Sequence, residues 1–408
     1  MFVKSLPFHV TGGMETHAWS LAKGITKRGH KLTIITTKHP RNIKRERKER
    51  IKIHYVGNIT ACYQTLANKI SSQHTSVFCT FGKESLEKFR ELNEENRFDI
   101  VHSQSFVAWS VIEYLKREEI PLVTTVHGTS ISDLITFWRV NRVCPQMPIA
   151  MLKLLYNFLA FDLPVIRSSR IVIAVSDTIK KHLVRFTLKD SNSIVVIPNG
   201  VDVSRFHPSI QTDSIKRKYG LTGKRVILSV GRVDKEKGIQ FVIRALPNIL
   251  KRVKDVKLWI LGSGSYSQAL KNLVRKLNLQ DKVLFTPYIS DEELPRCYNA
   301  CDLFVMPTIR LESFGLVLAE AMACEKPVIA SRIGGVPDVI QDGIDGILVS
   351  PGDINSIYKQ IVTILNDQIL ARKVANNARR SACSNFSVQE MVNHTLEVYE
   401  MVLMGKQD

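Results

Sequence analysis

The chain has 408 residues, too many for one ordinary hydrophobic core, so its length predicts two domains of about 200 residues each. Its 44% hydrophobic and 23% charged residues are typical of a soluble globular protein, and no run of 18 uninterrupted apolar residues predicts a membrane span. The formal net charge of +19 indicates an acidic partner, such as an anionic lipid surface or a phosphorylated substrate.

The first half of the chain predicts a parallel sheet that is covered by helices on both faces. Short runs rich in Val, Ile and Thr alternate with amphipathic stretches, and fully apolar runs are typical of strands buried on both sides. The start of the chain leaves only residues 2–6 for a first strand, so we expect either that this strand is stunted or that the chain begins inside the natural first strand. The other runs are KLTIITT (31–37), DIVHSQ (99–104), PLVTTVH (121–127), RIVIAVS (170–176) and SIVVIPNG (193–200).

The basic residues are concentrated in this first half. Residues 1–200 contain 29 Lys and Arg against 16 Asp and Glu, and the densest run is RNIKRERKERIK (41–52). We expect this run to be a solvated loop or to meet an acidic partner, and nucleic acid ranks last because no aromatic residues are interleaved with it. The stretch MPIAMLKLLYNFLAF (147–161) predicts a core helix, with membrane docking as the alternative.

The second half repeats the alternation of strands and helices. Its strand-like runs are RVILSVGR (225–232), VKLWILGSG (256–264), KVLFTPY (282–288), CDLFVMPT (301–308), KPVIAS (326–331) and GILVS (346–350). We therefore predict two doubly wound α/β domains, at 1–200 and 201–387, with the boundary in IPNGVDVSRFHP (197–208). The helical pattern in 388–408 carries an apolar stripe and is expected to pack back on the first domain.

Cysteine usage and the N-terminus give expectations about compartment. The seven cysteines are scattered and odd in number, which favours reduced thiols in a cytosolic protein over a disulfide framework. They stand at positions 62, 79, 144, 297, 301, 324 and 383. Residues 297 and 301 are too isolated from His or other Cys for a zinc site. No secretory signal is predicted, because no charged region is followed by an apolar run and a cleavage site.

Ligands of open α/β sheets bind beyond the carboxyl ends of the strands, and the unusual residues of this chain are predicted to lie there. Gly12 and Gly13, in TGGMETH (11–17), allow backbone to approach a ligand before a helix start, although paired glycines more often form plain turns. His127 ends a strand, where a lone His is more often structural. Gly262 belongs to a glycine turn of low specificity.

Two cations follow one strand of the second half. VGRVDKEKG (230–238) places Arg232 and Lys237 five residues apart. A forked guanidinium and a compact ammonium at this spacing suit a diphosphate, with solvated surface charge as the alternative.

Two glutamates flank a loop-to-helix junction in RLESFGLVLAEAMACEKPVIAS (310–331). Glu312 precedes the predicted helix and Glu320 lies within it. Gly315 stands at the junction, so the N–H groups of residues 314–316 are expected to face an oxyanion. Because carboxylates accept hydrogen bonds from paired sugar hydroxyls, we expect the two glutamates to bind different parts of one extended ligand.

Nearly the whole chain resembles the retaining glycosyltransferases of the GT-B fold, family 4 (glycosyl transferases group 1). The segments that carry the resemblance are GGMETHAWSLAKGITKRGHKLTIIT, VIPNGVD, VGRVDKEKG, ESFGLVLAEAMACEKPVIAS and GGVPDVIQDG (334–343). The most specific part is the pair of glutamates eight residues apart combined with Arg232 and Lys237. The resemblance implies two Rossmann-like doubly wound parallel-sheet domains facing across a cleft, with a nucleotide-diphosphate sugar bound mostly by the second.

The resemblance also implies roles for particular residues. Arg232 and Lys237 would hold the diphosphate, Glu320 the ribose hydroxyls and Glu312 the donor sugar, which His127 would face from the first domain. The nucleotide-sugar-binding positions expected are Gly12, Gly13, Arg232, Lys237, Gly262, Glu312, Ser313, Phe314, Gly315, Leu316 and Glu320. Ser176 and Asn199 are further positions implied on cleft-facing loops.

The implied reaction is a transfer with retention of configuration, in which fixed cations stabilise the leaving diphosphate and no enzyme nucleophile is needed. Glu312 and Glu320 are not predicted to be a glycosidase pair, because they would contact different ends of the donor. No metal and no other cofactor is expected, since cations are already present without an Asp-x-Asp beside them. The alternatives are a nucleotide-sugar epimerase and a non-catalytic subunit of the same fold. Conversion of the donor sugar without an acceptor would indicate the epimerase, and no release of nucleotide would indicate the non-catalytic subunit.

The expected partners are a nucleotide-sugar donor and an acceptor hydroxyl, on a lipid-linked or cell-envelope glycan. The basic first domain and residues 147–161 predict a cytoplasmic protein that associates with the cytoplasmic face of an anionic membrane.

Overall fold

The computed structural model describes residues 1–10, 12–57, 80–140 and 147–405, which form two compact units. Unit 1 comprises Met1–Asn199 and Val388–Asp408, and unit 2 comprises Gly200–Ser387. Each unit is an α/β structure with its own sheets and its own buried core.

Unit 1 contains a three-stranded sheet in the order β1-β3-β2 and a four-stranded sheet in the order β4-β5-β6-β7. All neighbouring strands are parallel except β2 and β3, which are antiparallel. The strands are β1 (Thr33–Thr37), β2 (Arg45–Lys48), β3 (Ile51–Val56), β4 (Val101–Gln104), β5 (Leu122–Val126), β6 (Ile171–Ala174) and β7 (Ile194–Val196). The five strand runs predicted in this half are therefore confirmed.

The start of the chain lies between these two sheets. Phe2 forms parallel bridges to Ile35 of β1 and to Ser103 of β4. Its amide donates to the carbonyl of His102 (2.8 Å), and its carbonyl accepts from the amide of Gln104 (2.9 Å). The expected first strand is thus one bridging residue, Phe2. The strands before β4 in the chain lie on one side of it, and β4 to β7 lie on the other.

The basic run at 41–52 is a hairpin and not a loop, which corrects the first of the two expectations for it. Strand β2 pairs with β3 along Arg45–Lys48, and exposed Arg45 and Arg47 alternate with half-buried residues. In β3, Ile51 and Ile53 are buried. Charged side chains on an edge strand oppose pairing with another chain, so this charge pattern is compatible with a strand.

The helices of unit 1 cover its sheets, and the C-terminal helix belongs to this unit. That helix buries Met391 and Val398 in the same cluster as Leu21 and Ile25 of the first helix. The helices are α1 (Gly13–Lys27), α2 (Thr80–Glu95), α3 (Ile112–Arg117), α4 (Ser130–Val140), α5 (Met147–Asn157), α6 (Leu163–Ser168), α7 (Asp177–Thr187) and, at the C-terminus, α15 (Val388–Met404).

Helix α5 is not a core helix, contrary to the expectation for residues 147–161. Its large apolar side chains are exposed, with Leu152 at 60% and Ile149 at 53% of their full area. The 21-residue segment Pro148–Ser168 has the length and composition of a membrane-spanning helix, and 28% of the apolar 18-residue stretch within it is buried. A single segment of this kind is weak evidence for a span, because core helices have similar composition.

Unit 2 is one fully parallel six-stranded sheet in the order β10-β9-β8-β11-β12-β13. The strands are β8 (Arg225–Val230), β9 (Val256–Leu261), β10 (Val283–Thr286), β11 (Leu303–Met306), β12 (Val328–Ser331) and β13 (Ile347–Val349). The six predicted strands are confirmed. The helices are α8 (Asp213–Lys218), α9 (Ile239–Leu250), α10 (Ser267–Lys276), α11 (Leu294–Ala300), α12 (Leu316–Ala323), α13 (Ile354–Asn366) and α14 (Gln368–Asn385).

From β8 the chain continues through β9 to β10 on one side of the sheet, and from β11 it continues through β12 to β13 on the other side. The switch point therefore lies between β8 and β11. In a Rossmann-type sheet, the loops that leave the two strands at such a switch point diverge, and a ligand crevice opens outside their carboxyl ends. The crevice of unit 2 is therefore framed by the loop after β8, at Gly231–Gly238, and the loop after β11, at Pro307–Gly315.

Candidate active site

The two loops at the switch point of unit 2 are joined through one carboxylate. Glu312 Oε1 accepts hydrogen bonds from Lys237 Nζ (2.7 Å) and from the Thr308 hydroxyl (3.0 Å). Burial would raise the pKa of Glu312, but Lys237, Arg310 and the Thr308 hydroxyl lower it below its ordinary value. Glu312 is therefore ionised and held in place, and only 13% of its side chain is exposed.

A second ion-paired group surrounds Arg232. Its guanidinium pairs with Asp234 (2.7 Å) and Glu236 (3.5 Å), and 62% of its side chain is exposed. Glu236 also accepts from Arg310 (2.8 Å), and its carbonyl accepts from the amide of Ile309 (2.9 Å). The cations expected for a diphosphate are thus present at the crevice, and each is oriented by a carboxylate.

The backbone of Glu312 is fixed by the turn that follows β12. The amide of Gly335 donates to the carbonyl of Glu312 (2.7 Å). Gly334 has φ +59°, and a Cβ there would lie 2.3 Å from the same carbonyl oxygen. Only glycine allows this approach, so the GGVP sequence positions Glu312 from a distant part of the chain.

Glu320 lies apart from this network, on the buried face of α12. The hydroxyl of Tyr298, on α11, donates to Glu320 Oε2 (2.7 Å). Burial raises the pKa of Glu320 to about 7, while the Tyr298 hydrogen bond and Arg205 oppose that rise and Asp291 adds to it. Glu320 therefore titrates near neutral pH, which the sequence did not indicate.

The remaining expected positions of unit 2 surround these side chains. Gly315 has φ +96° and precedes the first residue of α12, Leu316. Phe314 is buried and its ring lies 5.5 Å from that of Phe386. Ser313 is half-buried in the loop. A Cβ on Gly262, after β9, would lie 2.0 Å from the carbonyl oxygen of Gly231, so the β8 and β9 loops are in close contact.

The strand ends of unit 1 carry a buried neutral network instead of ion pairs. His127, directly after β5, has its Nε2 2.7 Å from Gln104 Oε1, so Nε2 carries the proton and Nδ1 is the acceptor nitrogen. The amide nitrogen of Gln104 lies 3.5 Å from His102 Nε2, and His102 Nδ1 contacts the hydroxyl of Tyr399 on α15. The C-terminal helix is thus connected to His127 through two buried side chains.

Polar atoms without partners lie in the same unit. Within the described part of the chain, both ring nitrogens of His17 and the amide oxygen of Asn199 are buried without a hydrogen bond. Such groups cost about 1–3 kcal/mol each unless a ligand or water completes them. The ring of His17 lies 4.5 Å from that of His127. Burial lowers the pKa of His17 to about 4 and the pKa of His127 well below its ordinary value, so both are neutral.

Two other predicted positions of unit 1 have structural partners. Ser176 is buried and its hydroxyl accepts from the amide of Ile179 (3.3 Å) as the N-cap of α7, and its role as a ligand position stays a prediction. A Cβ on Gly12 would lie 2.3 Å from a carboxylate oxygen of Glu15, so an acidic side chain lies against this glycine.

Three side chains of unit 1 have suitable ligand atoms for a metal. In the described ranges, His9, His39 and Glu46 have one such atom each within 4.8 Å of one another. Tyr55 already donates to Glu46 and contacts His9 Nε2 (3.2 Å), and His39 Nδ1 accepts from the amide of Arg41 (2.9 Å). These groups satisfy one another, so the cluster has a structural explanation.

Reduced thiols stay the prediction for the seven cysteines. Four are free, at 297, 301, 324 and 383. The cysteines at 62, 79 and 144 lie outside the described residues.

Two α/β units of Rossmann type, with cations and carboxylates at the switch point of the second, are the arrangement that the resemblance to the GT-B glycosyltransferases implied. Residues 11–205 match the family model of Glycosyltransferase Family 4, and residues 211–381 match that of Glycosyl transferases group 1. The chain belongs to the group 1 glycosyltransferases, so the predicted family and fold class are confirmed.

Relatives span nearly the whole chain. An uncharacterised glycosyltransferase of Methanocaldococcus jannaschii is 27% identical, over 98% of this chain and 97% of its own length. The N-acetyl-alpha-D-glucosaminyl L-malate synthase of Bacillus anthracis is 27% identical over 96% and 94%. A crystal structure of a glycosyltransferase from Rickettsia africae superposes with a TM-score of 0.74 at 25% identity, covering 98% of this chain and 97% of that one. None of these supports the epimerase alternative.

Proposed function

We propose that this protein transfers a hexose from a nucleotide-diphosphate sugar to an acceptor hydroxyl with retention of configuration. The observation that carries the proposal is the switch-point crevice of unit 2, where Lys237 is held 2.7 Å from an ionised Glu312. A fixed cation at this place stabilises the negative charge that develops on a leaving diphosphate. Because Lys237 is already oriented by its partner, little reorganisation is needed when the donor binds.

Each side chain of the crevice has a role in this proposal. Lys237 and Arg232 bind the diphosphate together with the N–H groups of residues 314–316. Glu312 accepts from hydroxyls of the transferred sugar, and Glu320 accepts from the ribose hydroxyls. In unit 1, the neutral His127 offers Nδ1 as an acceptor for a sugar hydroxyl, a role that its hydrogen bond to Gln104 supports.

The transfer itself needs no enzyme nucleophile. The acceptor oxygen forms a bond to the anomeric carbon on the face that the diphosphate leaves. The bond from that carbon to the diphosphate oxygen breaks, the electron pair stays on the oxygen, and the same oxygen takes the acceptor proton. We propose that Lys237 and Arg232 replace a metal ion in offsetting this charge, and unchanged turnover in excess EDTA would support that part.

The acceptor class is not set by family membership, since the Bacillus anthracis relative is named for L-malate. We propose a lipid-linked acceptor and peripheral membrane association, which two features of unit 1 support. The first is the excess of 29 basic over 16 acidic residues in 1–200, and the second is the exposed apolar surface of α5. Each basic residue near an anionic surface contributes about 1 kcal/mol to binding.

The deciding experiment is a thermal-shift panel of UDP-, GDP- and ADP-hexoses. We expect one nucleotide class to raise Tm, because a ligand that binds only the folded state stabilises it. Release of nucleoside diphosphate with an acceptor extract, and the anomeric configuration of the product by NMR, then test transfer and retention. No shift with any nucleotide sugar would contradict the proposal, and conversion of the donor sugar without an acceptor would indicate an epimerase.

A further inference from the structure

A row of polar side chains in unit 1 runs from helix α15 to His127. Nε2 of His127 lies 2.7 Å from Gln104 Oε1, and the amide nitrogen of Gln104 lies 3.5 Å from His102 Nε2. The same nitrogen of His102 lies 2.8 Å from the hydroxyl of Thr125, and Nδ1 of His102 contacts the hydroxyl of Tyr399. His102 and Tyr399 are 297 positions apart in the chain, so only the fold brings them together.

Tyr399 has a well-packed position on α15. Its ring packs against the apolar cluster that contains Leu21, Ile25 and Val398. The ring also meets the imidazole of His102 edge-on, with 5.6 Å between the ring centres. Burial raises the pKa of the Tyr399 phenol above its ordinary value, so the hydroxyl keeps its proton and is able both to donate and to accept.

His102 is a neutral imidazole. It is buried, and burial, together with the neighbouring His17 and the amino group of Met1, lowers the pKa of His102 well below its ordinary value. A neutral imidazole has one N–H donor and one acceptor nitrogen. The direction of the hydrogen bond at one ring nitrogen of His102 therefore fixes the direction at the other.

The amide of Gln104 sets that direction. Its oxygen accepts from Nε2–H of His127, so its NH2 group faces His102, and an NH2 group can only donate. Nε2 of His102 is thus the acceptor, both for this amide and for the hydroxyl of Thr125. The proton of His102 is on Nδ1 and is donated to the phenolic oxygen of Tyr399.

The same side chains could hold every hydrogen bond in the opposite direction. If the amide of Gln104 were turned over, its oxygen would accept from Nε2–H of His102, and its NH2 group would donate to Nε2 of His127. The proton of His127 would then be on Nδ1. The two directions therefore differ in what His127 offers to a ligand: Nδ1 is an acceptor in the observed direction and a donor in the reversed one.

We propose that Tyr399 is a positioning residue, whose phenolic oxygen accepts the Nδ1 proton of His102 and thereby keeps Nδ1 of His127 an acceptor for a sugar hydroxyl. This inference rests on the proposed function, in which that nitrogen meets the sugar. A phenol satisfies His102 in either direction. A phenyl ring in its place would leave the observed direction with a buried N–H group that has no partner, and such groups are rarer in folded proteins than unsatisfied acceptors. The observed direction therefore depends on the hydroxyl that α15 supplies.

The first test reads the tautomers without any ligand. Long-range ¹H–¹⁵N NMR spectra are recorded on the intact chain, and the variants His102→Asn and His127→Asn identify the two imidazoles among the 11 histidines. We expect the wild-type protein to have its proton on Nδ1 of His102 and on Nε2 of His127. In Tyr399→Phe, both histidines should change mainly to the opposite tautomer.

Tyr114→Phe is the matched control. This buried tyrosine also lies in unit 1, and its hydroxyl accepts from the side-chain amide of Asn93 (3.3 Å), so the control loses one hydrogen bond as well. Its histidine tautomers should equal those of the wild type. Unchanged tautomers in Tyr399→Phe overturn the proposal. A wild-type proton on Nε2 of His102 overturns it too, and that result needs no variant of Tyr399 to fold.

The second test separates this inference from the proposed function. Tm is measured with nucleoside diphosphates and with the corresponding nucleotide sugars. We expect the nucleoside diphosphate to shift Tm equally in the wild type and in Tyr399→Phe, and the sugar to add less in the variant. The kcat/KM for release of nucleoside diphosphate should fall about three- to tenfold in Tyr399→Phe.

The outcomes of this second test are distinct. Reversed tautomers with an unchanged kcat/KM overturn the role of Tyr399 in the reaction and leave the proposed function intact. No Tm shift of the wild type with any nucleotide sugar refutes the proposed function itself, whereas the ligand-free spectra still decide the direction of the hydrogen bonds.

Discussion

The strand-end edges of the two units have the same position in the fold but opposite electrostatic character. In unit 2, Lys237, Glu312 and Arg232 are charged and paired before any ligand arrives. In unit 1, His17 and His127 are buried and neutral. Paired charges suit a ligand that carries charge, and neutral groups suit hydroxyls. The comparison therefore supports the proposal that the diphosphate binds to unit 2 and that uncharged sugar hydroxyls bind to unit 1.

The largest effect is expected from Lys237→Ala. Loss of a fixed charge at the leaving group should lower kcat/KM by about 100- to 1000-fold. It also leaves the carboxylate of Glu312 partly buried without its cation, so a lower Tm is expected. The measurement is release of nucleoside diphosphate. Lys235→Ala, in the same turn but exposed, is the matched control. Activity of Lys237→Ala within threefold of the control would break the assignment of the diphosphate to unit 2.

The next effect concerns Glu320→Gln. Loss of a charged acceptor for the ribose should weaken donor binding by about 10- to 100-fold, measured by titration calorimetry.

The same variant tests how stability depends on pH. The pKa of Glu320 is about 7 in the folded state against 4.5 ordinarily, so the folded protein holds the proton more tightly than the unfolded chain does. Ionisation therefore costs stability as pH rises from about 4.5 to 7. The wild type should lose up to roughly 3 kcal/mol across that window, and Glu320→Gln should lose less. Parallel stability curves for the two proteins would contradict this burial effect.

A smaller effect is expected from Gln104→Leu in unit 1. This change removes the acceptor for His127 Nε2–H, so the imidazole no longer has a fixed tautomer. We expect kcat/KM to fall about tenfold and the ¹⁵N shifts of His127 to show a mixture of tautomers, a signal that loss of packing alone would not produce. Gln268→Leu, on α10 of unit 2, is the control. An unchanged tautomer would contradict the role of Gln104 in positioning His127.

The smallest effect is expected from Tyr298→Phe, which keeps the ring and removes one hydroxyl. Because the lost hydrogen bond lowered the pKa of Glu320, that pKa should rise. Donor affinity should then be near that of the wild type at pH 8.5 and severalfold weaker at pH 6.5. Tyr219→Phe, whose ring packs on Trp259, serves as the control. The same loss of affinity at both pH values would indicate a packing defect instead.

The regular parts of this fold were predictable because burial on both faces leaves a local pattern. Eleven strand runs were read from Val- and Ile-rich segments, and each forms a strand. Two strands were missed. Arg45–Lys48 is an edge strand with only charged residues, and Ile51–Val56 begins inside the basic run and alternates apolar with polar residues at its start. Helix α5 was misassigned to the core because an apolar helix has the same composition whether it is buried or exposed.

The candidate site was partly predictable for a related reason. Arg232, Lys237, Glu312 and Glu320 stand close together in recognisable local motifs. Gln104, Thr308, Arg310 and Tyr298 were missed, because each acts on a partner through a contact that has no local sequence pattern. Of these four residues, only Thr308 had a signal in the sequence, because it is the first hydroxyl-bearing residue after the strand in CDLFVMPT.

The sequence by itself determined the family, the two α/β halves and the identity of the charged residues at the strand ends, because periodicity and short motifs are local properties of the chain. Only the tertiary structure decided which charges pair, which tautomer His127 adopts and which face of α5 is exposed. These depend on side chains brought together from distant positions, where burial and geometry set the protonation state and the available partners.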